Sequence, residues 1–122
     1  MNIFVYGTLK VGGPLASSFD DSRVSSEKAV LRGYDMYDIG NFPGIVPGEG
    51  AVSGELHKYK GKLVRGIMDS IEGYYADAPE KSLYLRREVE VETENGSQTA
   101  FVYVFNKNIS GRKKIASGQW RK

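Results

Sequence analysis

Leu85-Arg86-Arg87-Glu88-Val89-Glu90-Val91-Glu92-Thr93-Glu94-Asn95-Gly96-Ser97-Gln98-Thr99-Ala100-Phe101-Val102-Tyr103-Val104-Phe105 is the stretch that decides the fold class. Leu85, Arg87, Val89 and Val91 fall on one face of an extended chain, and Glu88, Glu90 and Glu92 fall on the other. A period of two with valines against glutamates predicts a strand with one face buried and one in water. The glutamate run is therefore the solvent face of a sheet. Asn95-Gly96 is the best short hairpin signal in the chain, and Thr99 to Phe105 is the returning strand.

Upstream the period changes. Leu63, Val64, Ile67, Met68 and Ile71 form one apolar stripe at helical spacing. Gly73 is placed to end that helix, and Tyr74 to Pro79 reads as a loop. Ile3-Phe4-Val5-Tyr6 is a short β-prone run that Gly7 stops. Ala29-Val30-Leu31 and Tyr34-Asp35-Met36-Tyr37 read as strand, with breaks at Gly40 to Gly44 and at Pro47-Gly48-Glu49-Gly50. Ala51 to Tyr59 reads as a strand interrupted by Gly54. Residues 10–27 are mixed, with a loop at Gly12-Gly13-Pro14 and a short helix expected beyond it. Many short strands and few helices give an α+β domain. The expected architecture is a small, strongly bent mixed β-barrel with one or two flanking helices.

The chain has 122 residues, the size of one domain. Hydrophobic residues make up 40% of it, and eight Tyr, five Phe and one Trp supply large core pieces, which argues against disorder. There is no cysteine, so disulfides, thiolate nucleophiles and cysteine-based zinc sites are excluded. No basic stretch followed by an apolar run opens the chain, and no apolar run approaches the ~20 residues of a membrane span. A cytoplasmic protein without membrane partners is the expectation. The net charge of +2 is uneven. From Lys107 to Lys122 there are six basic residues and no acidic ones, leaving the preceding 106 with a net of −4. Residues 1–109 are read as the domain and residues 110–122 as a basic, solvated C-terminal tail. Such a tail can attract nucleic acid, but no aromatic platform or basic helix accompanies it beyond the lone Trp120.

Gly7-Thr8-Leu9-Lys10-Val11-Gly12-Gly13 resembles a P-loop only in outline. Gly13 is followed by Pro14, where a phosphate site needs Lys and then Ser or Thr. The single histidine, His57, is expected at or near the surface, and no metal site can be assembled from histidines. One carboxylate stands out. In Met68-Asp69-Ser70-Ile71-Glu72-Gly73-Tyr74, Asp69 and Glu72 share a side of the helix. Glu72 sits at the last turn, where the helix dipole disfavours negative charge, among Met68, Ile71, Tyr74 and Tyr75. Partial burial there would raise its pKa toward that of a general base. A helix-end glutamate pointing into water fits the same residues.

Six segments, taken in order, resemble the γ-glutamylcyclotransferase-like (AIG2-like) family. They are Val5-Tyr6-Gly7-Thr8-Leu9, Phe42-Pro43-Gly44-Ile45, Val52-Ser53-Gly54-Glu55-Leu56, Met68-Asp69-Ser70-Ile71-Glu72-Gly73-Tyr74, Tyr84-Leu85-Arg86-Arg87 and Ala100-Phe101-Val102-Tyr103-Val104. The resemblance implies a bent barrel with the Tyr-Gly-Thr-Leu loop and the helix-end glutamate facing one cavity. It implies cleavage of a γ-glutamyl–amine bond by the substrate's own α-amine, releasing 5-oxoproline. Carried over residue by residue, it makes Glu72 the proton shuttle and Tyr6, Gly7, Thr8 and Leu9 the substrate-binding loop, with no metal or organic cofactor. The partner would be a small γ-glutamyl amine or amino acid. A catalytically silent binding module on the same fold is the alternative, and Arg86 is expected to brace the sheet or pair with a carboxylate.

Overall fold

The fold is that of a computed structural model describing residues 1–7, 23–61 and 63–120, with the side chains of Leu63 and Val64 excepted. The short helix expected after Pro14 lies outside these residues, as do Thr8 and Leu9. The elements are β1 (Asn2–Val5), β2 (Arg23–Asp38), β3 (Pro43–Tyr59), α1 (Leu63–Ile71), a 3-10 turn at Pro79–Lys81, β4 (Tyr84–Thr93), β5 (Gly96–Phe105) and β6 (Lys113–Ile115). The strands run β3-β1-β5-β4-β2, and β2 pairs again with β3, so five strands close into a ring with β6 added at β2. Among the described residues only β1 and β5 pair in parallel, so the sheet is mixed. This is the α+β, strongly bent barrel expected from the strand pattern, with α1 against one side.

Two apolar clusters hold it. Phe4, Leu31, Met36, Ile45, Val52, Leu56, Val91, Val102 and Val104 fill the barrel with Tyr6 and Trp120. Ile3, Val5, Tyr59, Met68, Tyr84, Tyr103 and Phe105 form the second cluster, which seats α1 on the outer wall. Strand alternation produces this division, because successive side chains point to opposite faces.

Several local expectations differ from the structure. Strand β2 is one piece of 16 residues, and its partner β3 one of 17, running through both Pro47–Gly50 and Gly54. The glycines there absorb irregularity without ending the strand. The register slips between Arg32 and Tyr34, where Gly33 takes φ +86°. Opposite it, Gly50 N–H donates to Asp35 Oδ1 at 3.0 Å, and a Cβ on Gly48 would fall 2.1 Å from the other oxygen of that carboxylate. At Gly54 a Cβ would lie 2.3 Å from the Val5 carbonyl oxygen, so glycine is what lets β1 approach β3. The hairpin turn is one residue earlier than expected. Thr93 pairs with Gly96, Glu94 and Asn95 form the turn, and Gly96 alone takes a positive φ of 102°.

Residues 113–120 belong to the fold, with Lys113 and Lys114 exposed but Gly118 and Trp120 buried. Strand β6 pairs with Met36–Asp38, Gly118 C=O accepts from Ser53 N–H at 2.8 Å, and Trp120 is 6% exposed in the barrel core. The basic side chains hid this, because a charged segment with one indole resembles a free tail until the indole is placed. His57, expected near the surface, is fully buried. Its two ring nitrogens meet Tyr59 Oη at 2.7 Å and Glu55 Oε1 at 2.8 Å, so burial leaves neither unsatisfied. Burial lowers its pKa despite Glu55, and the ring is neutral near pH 7.

Trp120→Ala should therefore cost about 3–5 kcal/mol, the range for a large core truncation. Urea denaturation followed by circular dichroism checks this, and deletion of residues 113–122 should abolish the cooperative transition.

Candidate active site

Helix α1 ends in a hydrogen-bonded turn that determines where Glu72 points. Gly73 takes φ +65°, its N–H donates to Ser70 C=O at 3.2 Å, and Tyr74 N–H donates to Asp69 C=O at 2.8 Å. This paired closure is the Schellman motif, with Gly73 at the left-handed position and Glu72 at the C-cap. Leu83 N–H then donates to Gly73 C=O at 2.9 Å, tying the turn to the start of β4.

Glu72 is half-buried and interacts electrostatically with the hydroxyls of Tyr6, Tyr84 and Tyr103. Loss of water raises its pKa from 4.5 to about 7. The three phenols are themselves pushed upward, chiefly by burial, and stay protonated. Each hydroxyl donates elsewhere: Tyr6 to Tyr103 C=O at 2.5 Å, Tyr84 to Pro43 C=O at 2.6 Å, and Tyr103 to Asp69 Oδ1 at 2.6 Å. Asp69 also accepts from Arg86 Nη1. The two acidic residues of the helix end thus have different partners. Asp69 is hydrogen-bonded and ion-paired, whereas Glu72 can hold or release a proton near neutrality.

The other motifs converge here. Gly7 abuts Pro43, whose ring carbons would lie 2.9 Å from a Cβ at position 7. Gly44 is as tightly placed, with Phe105 Cβ 2.8 Å from the position of its missing Cβ. Tyr84 stacks edge-on to Phe105 and near Phe42, and its hydroxyl holds the Pro43 carbonyl. So β1's end, β3's start, the helix end, β4's start and β5's end meet at one end of the barrel. Sequence reading did not single out Tyr84 and Tyr103 as site residues. Their positions opposite each other's strand ends, in motifs already noted, were the available signal.

Residues 3–122 match the family described as gamma-glutamyl cyclotransferase, AIG2-like. The chain belongs to that family. It is 30% identical over 108 residues to the gamma-L-glutamyl-butirosin B gamma-glutamyl cyclotransferase of Niallia circulans, an alignment spanning 88% of this chain and 68% of that protein. It is 29% identical to the gamma-glutamylcyclotransferase family protein YtfP of Escherichia coli, over 98% of this chain and 96% of that one. The solution structure of YtfP superimposes with a TM-score of 0.69 over the same shares of the two chains. The crystal structure of an AIG2-like protein from Mus musculus gives 0.76 at 22% identity, over 98% of this chain and 87% of that one, a likeness of fold. Among the described residues no helix is long and apolar enough to cross a membrane, and no group of three or more His, Asp or Glu is placed to hold a metal ion.

A raised carboxyl pKa links stability to pH. With a folded value of about 7 above the ordinary 4.5, the folded state keeps the Glu72 proton longer than the unfolded state does. The stabilisation is complete below about 4.5 and is lost as pH rises through 7. Wild type should thus lose stability relative to Glu72→Gln across that window. The difference at pH 8, allowing for the partial exposure of Glu72, should be on the order of 2 kcal/mol. Paired urea titrations at pH 4 and pH 8 measure it.

Proposed function

We propose that this chain catalyses γ-glutamyl cyclotransfer, with Glu72 moving the proton and no cofactor taking part. The carrying observation is a half-buried carboxyl near neutral pKa, set among protonated tyrosines where the Tyr6-Gly7 turn and the helix end meet. The substrate is a γ-glutamyl amine. Its α-amine is tethered to the carbonyl it attacks, so the protein has chiefly to hold a reactive conformer and handle protons.

Ionised Glu72 removes a proton from the α-ammonium group. The freed amine attacks the γ-carbonyl carbon, the C=O electron pair moves to oxygen, and the attacking nitrogen, now positively charged, gives up its second proton to solvent. As that oxyanion collapses, the bond to the leaving nitrogen breaks and Glu72 returns its proton to that nitrogen. The products are 5-oxoproline and a free amine, with no proton gained or lost by the enzyme over the cycle. The Gly7 N–H is suited to hold the substrate carboxylate or the oxyanion, because glycine admits close approach. Thr8 and Leu9 are given the same role on the resemblance of their motif, and Tyr6 supplies packing beside the site. Asp69 is excluded as the shuttle by its bonds to Tyr103 and Arg86.

The test is a panel of γ-glutamyl amines assayed for 5-oxoproline by mass spectrometry. Turnover should follow an acidic limb with its midpoint near pH 7, the value to which Glu72 is raised. Glu72→Gln keeps shape but cannot accept a proton, so turnover should fall by ~10²–10⁴-fold and the limb should vanish. Ser70→Ala, on the exposed side of α1, is the control and should match wild type. Saturable binding of a γ-glutamyl amine without any turnover would favour a silent binding module instead.

A further inference from the structure

We propose that Asp69 is a positioning residue that, through Tyr103 and Arg86, holds the Glu72 carboxyl in its partly dry place against the barrel end. The proposal rests on reading Glu72 as the proton shuttle. Glu72 is the C-cap of a nine-residue helix, and helix ends fray unless something pins them. Buried Met68 seats the helix, and the Leu83–Gly73 bond ties the backbone of its closing turn to β4. Asp69, three residues before Glu72, supplies direction. One of its oxygens accepts from Tyr103 Oη at 2.6 Å, and the other accepts from Arg86 Nη1.

Those donors are directly opposite each other across the β4–β5 ladder, where Arg86 pairs with Tyr103. The Asp69 carboxylate therefore docks on one cross-strand pair, and both of its oxygens are used. Arg86 cannot readily swing away, because its guanidinium lies 5.1 Å from the Tyr74 ring centre and 5.3 Å from that of Phe101. Tyr103 faces two ways. Its hydroxyl reaches the helix end, and its carbonyl accepts from Tyr6 Oη at 2.5 Å. One chain of polar contacts thus runs from the residue beside Gly7, through β5, to the turn carrying Glu72. Asp69 closes that turn as well, since its backbone carbonyl accepts from Tyr74 N–H at 2.8 Å.

A bond that only adds stability would leave the titration of Glu72 unchanged when removed. A positioning bond would not, because a loosened helix end lets water reach the carboxyl. Tyr103→Phe deletes the hydroxyl while keeping the ring and the carbonyl that serves Tyr6. Asp69→Asn is the second variant, removing the charge that holds Arg86. Carbon-detected NMR titration of glutamate carboxyls, with the Glu72 signal assigned by its absence in Glu72→Gln, reads the effect. Wild-type Glu72 should titrate near 7, and both variants should move it down by about one unit. The kcat for 5-oxoproline release should fall about tenfold with KM little changed, as expected for a misplaced base. An unchanged Glu72 midpoint in Tyr103→Phe, which removes no charge, overturns the proposal, because loss of the Asp69 charge alone would lower that midpoint in Asp69→Asn. Absence of turnover in wild type would count against the cyclotransferase reading alone, and the NMR titration would still decide the positioning role.

Discussion

Ile3 and Val5 point out of the barrel toward the side that Met68 covers, while Phe4 and Tyr6 point into it, so neighbouring side chains of one short strand serve two cores. Burial on both faces requires partners on both edges, since a stray backbone amide in such a place is costly. Strand β1 has them, antiparallel β3 on one side and parallel β5 on the other. The close approach to β3 depends on the missing side chain of Gly54. From this arrangement the end of β1 delivers Tyr6 and Gly7 against Pro43, and its outer face gives α1 a seat. The position of the helix end, and hence of Glu72, is a consequence of how this strand is buried.

The barrel end places its polar groups unevenly. Tyr6, Tyr84 and Tyr103 donate their hydroxyl protons to fixed acceptors and interact electrostatically with Glu72. Glu72 is half-buried, and dehydration is the principal cause of its raised pKa. Asp69, one turn away, experiences the opposite environment, with a guanidinium and a phenol on its oxygens. Two carboxylates a turn apart on one helix are thus separated in chemical character by what packs on each. Reactive groups often sit in such locally unfavourable settings, supported by stability gained elsewhere in the fold.

Much of this was legible in the linear chain because its signals were periodic. The valine–glutamate alternation of β4, the apolar stripe of α1 and the glycine at position 73 each correspond to an element or its end. What escaped was non-local. His57 could be buried only because Glu55 and Tyr59, two residues away on either side along the strand, satisfy both of its nitrogens. The partners of Asp69 lie on β4 and β5, and nothing in the spacing of the helix points to Arg86 and Tyr103. Glycines were read as breaks when in β3 they permit close approach, a distinction that depends on what lies opposite. Trp120 was passed over because its flanking charges describe the surface of the segment and not the cavity its ring fills.

That last residue has a bearing on how the chain acquires its shape. Strand β1 and Trp120 contribute to the same interior from opposite ends of the sequence, and Gly118 bonds to the edge of β3 just beyond the residues β1 occupies. The loop between Phe4 and Trp120 spans most of the chain, and that between Ser53 and Gly118 about half of it. Contacts so distant in sequence must bear the entropy of closure before their burial is rewarded, which slows folding. On a ribosome the interior would stay unsealed until Trp120 had emerged from the exit tunnel. The hairpin of β4 and β5, whose contacts are local, is free to form well before then.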